Sequence, residues 1–204
     1  MSVLGVDTPH GRANVHLHAV DQPRAALVLG HGAAGGVGSG DLVAATDAAL
    51  SERLSVALVE QPYRVAGRRS PAPARQLDAV WTAVVDHLRA GPFQGSPLVV
   101  GGRSLGARVA CRTAEEVGAV AVLCLAFPLE PPRRSGAAPT SRLPELDAVA
   151  FPMLVVQGER DRFGMPPPGP RRTVVSVPGD HGLKADLDAV ADAVRAWLPG
   201  VVPR

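Results

Sequence analysis

The segment Leu98-Val99-Val100-Gly101-Gly102-Arg103-Ser104-Leu105-Gly106 runs from an apolar triplet, through two glycines, into a stretch of helical period. It is a G-x-S-x-G element between a strand and a helix. A serine on such a sharp turn has its hydroxyl pushed out of the sheet, and the N–H groups that follow point at a reacting atom. Gly102 and Gly106 relieve the crowding that the turn creates. Ser104 is therefore the candidate nucleophile. The five letters alone are a weak signal; the strand before them and the helix after them give the motif its meaning.

The same alternation extends in both directions. Short apolar runs mark strands at 14–20, 25–29, 56–59, 98–100, 120–126, 153–157 and 173–177. Amphipathic stretches lie between them, at 41–54, 76–90, 105–117 and 184–198. In 76–90 the apolar residues Leu77, Val80, Trp81, Val84 and Leu88 share one helical face, and Gly91-Pro92 stops the helix. Strands alternating with helices imply an α/β fold: a mainly parallel sheet flanked by helices on both faces. Residues 14–20 alternate apolar and polar side chains instead, which suits a half-exposed antiparallel edge. The segments 130–141 and 165–172 are rich in Pro, Gly and Arg and read as loops, too short for a cap domain. A chain of 204 residues without repeat or linker reads as one domain over 1–204.

In an open parallel sheet, ligands gather at the carboxyl ends of the strands. Four such ends carry chemistry: Gly30-His31-Gly32-Ala33-Ala34, Ser104, Gly158-Glu159-Arg160-Asp161, and Gly179-Asp180-His181-Gly182. A serine hydroxyl needs an adjacent base at neutral pH. His181 supplies that base and can return the proton to a leaving group. Asp161 can orient the imidazole and stabilise its charged form. The Leu105 N–H, just after Ser104, is one oxyanion donor; the N–H of Ala33, or else Ala34, is the second. His31 shapes the glycine-rich loop rather than acting as base. Arg103, beside the nucleophile, and Tyr63 and Phe127, each following a strand end, are the candidate substrate contacts, with Leu129 and Met165 as further pocket walls.

The order Ser104, Asp161, His181, with the His31-Gly32 glycine-rich loop upstream, resembles the α/β-hydrolase superfamily over residues 12 to 198. Within it, the chain is similar to small cap-less bacterial hydrolases near the dienelactone hydrolases. Those enzymes carry a cysteine nucleophile, where this chain has Ser104. The resemblance implies a serine hydrolase of the α/β-hydrolase fold without a cap domain. It also implies Glu130, after the preceding strand, as an alternative acid to Asp161. Only Met1–Gly11 precedes Arg12, so the superfamily's first strand is expected to be absent or reduced.

The bulk numbers set limits on the partners. Net charge is +2, and Lys184 is the lone lysine. With aromatic residues at 3%, nothing here draws nucleic acid. There is no G-x-x-x-x-G-K-[ST], no dinucleotide fingerprint, and no histidine or cysteine cluster with metal-ligand spacing, so neither cofactor nor metal is expected. No run is long enough for a membrane span. Met1–Gly11 lacks a basic segment followed by an apolar one, and Cys111 and Cys124 sit in apolar patterns as free thiols. A cytoplasmic location is expected. Arg64, Arg68, Arg69, Arg103, Arg133 and Arg134 all follow strand ends. A guanidinium-rich rim favours an anionic substrate, although composition alone could also account for these arginines. The reading that results is a serine hydrolase acting on a small acyl substrate through Ser104. The competing reading is an inert hydrolase-fold scaffold or interaction module.

Overall fold

The computed structural model describes residues 1–130 and 140–203. Eight strands form one sheet: β1 (Ser2–Thr8), β2 (Gly11–His18), β3 (Ala25–Gly30), β4 (Leu54–Glu60), β5 (Leu98–Arg103), β6 (Ala121–Leu125), β7 (Met153–Gly158) and β8 (Arg172–Val177). Their spatial order is β1-β2-β4-β3-β5-β6-β7-β8. The two junctions β1/β2 and β2/β4 are antiparallel. Every junction from β4 to β8 is parallel. The helices are α1 (Gly40–Ser51), α2 (Pro62–Val65), α3 (Ala74–Ala90), α4 (Leu105–Thr113), α5 (Leu143–Asp147) and α6 (Leu187–Trp197).

The period of two along each strand feeds two separate cores. On β3, Ala26 and Val28 join one core, together with Leu77, Trp81 and Leu88 of α3 and Ala107 and Ala110 of α4. Ala25, Leu27 and Leu29 of the same strand join the other, with Leu42 and Ala45 of α1 and Val190 and Val194 of α6. Both faces of the central strands are thus covered, which is why β3 and β6 read as unbroken apolar runs and β7 as one interrupted only at Gln157. Trp81 is fully buried between α3 and the sheet. Replacing it by alanine should cost about 3–5 kcal/mol.

Three sequence expectations need correcting. The superfamily's first strand is present: Ser2–Thr8 pairs along its whole length with β2, through a turn at Pro9-His10. Only Val6 of this strand is buried, so no apolar pattern announces it. The 14–20 segment is consequently an inner strand, β2, and β1 takes the edge. The helix expected over 41–54 ends at Ser51, where Arg53 turns the chain at φ 61° and Leu54 opens β4. The short helices α2 and α5 lay unseen in Pro-containing segments. Most of the loop read at 130–141, with Arg133 and Arg134, lies outside the described residues. No helix among the described residues is long and apolar enough to cross a membrane.

Chain direction across the sheet positions the site. From β3 the chain crosses to β4 on one side, and β5 lies on the other. This is a topological switch point, where the loops leaving adjacent strands diverge and open a crevice at their carboxyl ends. The His31–Ala34 loop leaves β3 there, and Ser104 leaves β5.

Candidate active site

Ser104 sits between β5 and α4 at φ 51°, ψ −103°, a conformation that costs strain in any residue with a Cβ. The turn fits only because backbone packs on backbone at two glycines. A Cβ on Gly102 would meet the Gly30 carbonyl oxygen at 2.5 Å, and one on Gly106 would collide with that same peptide. The Ser104 N–H donates to the Leu125 carbonyl at 2.9 Å, tying the turn to β6.

The Ser104 hydroxyl lies 3.0 Å from Nε2 of His181, and Nδ1 of His181 lies 2.8 Å from Oδ2 of Asp161. A carboxylate can only accept, so Nδ1 carries the proton and Nε2 is left to accept from the serine. Asp161 is held from two further directions. Its Oδ1 accepts the Phe163 N–H at 2.9 Å, and its Oδ2 accepts from Nε2 of Gln157 at 2.8 Å. The Asp161 side chain is 1% exposed and that of His181 18%. The Phe163 ring packs edge-on against the imidazole with centroids 4.5 Å apart. The structure thus brings Ser104, His181 and Asp161 into one hydrogen-bonded line. Glu130 is exposed at the end of its segment, and Asp161, not Glu130, is the carboxylate on His181.

The loop after β3 is braced from below. The buried His31 donates from Nδ1 to the Gly32 carbonyl at 2.8 Å and accepts the Gln61 N–H at Nε2 at 3.1 Å. Burial holds its pKa below the ordinary histidine value. The Tyr63 hydroxyl donates to the Ala33 carbonyl at 3.2 Å. Burial pushes that phenol up to about 12, so it stays a donor. With its carbonyl held from below, the Ala33 peptide borders the cleft beside Ser104. Leu105 opens α4, and its N–H is one of the helix's first four, which have no partner within the helix.

The cleft over Ser104 is open and measures about 310 Å³. Besides Ser104, Leu105, His181, Ala33 and Ala34, it is lined by Pro128, Phe163 and four arginines: Arg103, Arg108, Arg142 and Arg162.

Of the expected substrate contacts, Arg103 is at the cleft, but its guanidinium is already engaged. Nε donates to Asp41 at 3.1 Å and Nη2 to the His181 carbonyl at 2.9 Å. Asp41, on the first turn of α1, has a side chain only 1% exposed. Tyr63 is 5% exposed and lies below the loop, bordering a different concavity together with Arg68. Phe127 is fully buried in the α3/α4 core and does not line the cleft, because β6 ends at Leu125 with its side chains still inside the sheet layers. Sequence reasoning missed Gln157, Asp41, Arg108, Arg142 and Arg162. Arg108 could have been found, since four residues past Ser104 on a helix is the same face. The others follow only from tertiary packing. Among the described residues no cluster of His, Cys, Asp and Glu could hold a metal ion.

A family model described as "Alpha/beta hydrolase domain" matches residues 23–185. None of the curated proteins matches the chain. Among solved structures, a lidless α/β serine hydrolase from Xanthomonas campestris is similar with a TM-score of 0.79 at 18% identity, covering 100% of this chain and 95% of that one. Est1E from Butyrivibrio proteoclasticus gives 0.77 at 16%, covering 98% of both chains. A dienelactone hydrolase from Anabaena variabilis gives 0.76 at 16%, covering 99% and 98%. With its switch-point serine, its two-sided sheet and a family match over most of its length, the chain belongs to the alpha/beta hydrolase domain family.

Proposed function

We propose that the protein is a serine hydrolase that cleaves small carboxylic esters or related acyl compounds through an acyl-enzyme on Ser104. The observation that carries this reading is the unbroken line from the Ser104 hydroxyl through His181 to the buried Asp161 carboxylate. An inert scaffold has no physical need for a strained serine, a tautomer-fixed histidine and a buried carboxylate in register.

The chemistry follows from the geometry. Ser104 Oγ attacks the acyl carbon while His181 Nε2 takes its proton, and the developing imidazolium is stabilised by Asp161. The carbonyl π electrons move to oxygen, and the Leu105 and Ala33 N–H groups receive the oxyanion, with the positive end of α4 adding to the field. As the oxyanion collapses, the bond to the leaving group breaks and His181 returns the proton to it. Water then repeats the sequence on the acyl-enzyme: His181 takes the water's proton, and Ser104 leaves with it. A cleft of about 310 Å³ with no covering helices among the described residues suits small, soluble substrates. The dienelactone hydrolase among the structural relatives supports acyl chemistry as the class.

Labelling with a fluorescent fluorophosphonate tests the reading. Wild type should label, Ser104→Ala should not, and His181→Ala should label far more slowly. Folded wild type that refuses the probe and hydrolyses no ester would overturn it.

A further inference from the structure

Four arginines reach the cleft, and two are paired with carboxylates. Arg103 is paired with Asp41. Arg108 is paired with Glu145 through two hydrogen bonds, with Nε at 2.9 Å. Arg162 is exposed to solvent over the Phe163 ring at 4.8 Å, whereas Arg142 is half-buried. Arg142 has no carboxylate among the described residues within ion-pair distance. The one hydrogen bond of its guanidinium among them is from Nη1 to the Pro128 carbonyl at 2.9 Å. That bond anchors the side chain to the wall of the cleft and leaves Nε and Nη2 of the fork uncommitted among the described residues.

The nearby carboxylates are already taken. Glu145 is shared by Arg108 and Arg112, and Asp78 pairs with Arg112, so this corner holds three guanidinium groups against two carboxylates. Part-burial, with the positive charge of Arg108 next to it, draws the Arg142 pKa below the ordinary arginine value. A bound anion would relieve both penalties at once.

We infer that Arg142 is a specificity-determining residue and that the natural substrate is an acyl compound bearing a carboxylate, which pairs with the free edge of the Arg142 guanidinium. This inference rests on the serine-hydrolase reading and narrows its substrate class. A planar carboxylate matches two parallel N–H donors, and a charged pair of this kind is stronger than a neutral hydrogen bond. Arg103 is less available for this role, with Nε on Asp41 and Nη2 on the His181 carbonyl.

The test uses two matched pairs of chromogenic or ultraviolet-active esters. One carries the charge on the acyl side: 4-nitrophenyl hemiglutarate against 4-nitrophenyl pentanoate. The other carries it on the leaving group: 4-acetoxybenzoate against 4-acetoxybenzamide. Wild type should prefer the anion in at least one pair by about tenfold or more in kcat/KM. Arg142→Gln should lower kcat/KM for that anionic ester, mainly through KM, far more than for its neutral partner. Arg142→Lys, which keeps the charge but not the fork, should fall between. The preference should shrink as salt rises. Equal handling of charged and neutral esters in both pairs, or an equal loss on both in Arg142→Gln, would overturn the inference while leaving the hydrolase intact. Fluorophosphonate labelling on the same samples separates that result from failure of the hydrolase reading itself, in which nothing labels and no ester is cleaved. In that case the inference falls with it.

Discussion

The Arg103 guanidinium reaches across the cleft floor to donate to the backbone carbonyl of His181 at 2.9 Å, although the two residues lie 78 positions apart. The residue before Ser104 thereby holds the loop that carries His181. Asp41, buried on α1, neutralises the arginine in turn.

Breaking this tie should slow turnover more than it weakens binding. Arg103→Lys is expected to lower kcat about tenfold with a smaller change in KM. Steady-state kinetics on a neutral ester separates the two. Arg103→Ala should also cost about 3 kcal/mol of stability, because the Asp41 carboxylate is left buried and unpaired. Asp41→Asn in the same background should recover part of that loss in a denaturant titration.

Ser104 pays for its exposure with strain. Ser104→Gly should abolish fluorophosphonate labelling yet unfold at a higher temperature than Ser104→Ala, by about 1 kcal/mol in stability, since only glycine relieves φ 51°. Calorimetry of the two inactive variants isolates this backbone term.

Gln157 is fully buried, and its amide nitrogen faces Asp161, the Phe127 carbonyl and the Gly164 carbonyl at 2.8–3.0 Å. Gln157→Leu strands all three acceptors and should cost about 2–3 kcal/mol. It should also reduce kcat by loosening Asp161. Asp161→Asn acts more directly: with its oxygen kept on the Phe163 N–H, its amide N–H₂ faces Nδ1, the imidazole takes the wrong tautomer, and kcat should fall by about 10⁴. A pH–rate profile showing the same loss across the neutral range would mark it as a tautomer effect.

His31 predicts a pH dependence of opposite origin. Its folded-state pKa is lowered by burial, and the unfolded chain has an ordinary value of about 6.5. Below that value the unfolded state binds more protons, so stability should fall as pH drops through 6.5 toward the folded pKa and stay flat above it. His31→Gln should flatten this window. NMR titration of the His31 ring would show a midpoint below the ordinary histidine value; a normal midpoint would sink the prediction.

The central sheet was easy to read because its strands are buried on both faces and are dominated by apolar residues. Ser104, Asp161 and His181 were legible because chemistry at a switch point must hang from strand ends. The edge was not legible: Ser2–Thr8 forms a strand by pairing with β2, and a ladder leaves no hydrophobic signature when one residue in seven is buried. The walls of the cleft were read poorly for a related reason. Phe127 follows a strand end, as a wall residue should, but its ring turns into the core. Arg142 arrives from a segment whose path no local pattern dictates. Strand ends predict where backbone arrives, whereas side-chain direction is settled by packing.

The parts of this site are far apart along the chain. His31, Ser104, Asp161 and His181 hang from β3, β5, β7 and β8, and the Ser104 elbow needs only β3, β5, β6 and α4 to form. A nascent chain that has emerged only through Gly158 could already hold the bent serine, yet it would lack both acid and base. Hydrolysis would begin only once the last strand docks. Catalytic competence in this protein would therefore arrive at the end of folding, and loss of the β7–β8 margin should silence the enzyme while most of its core remains intact.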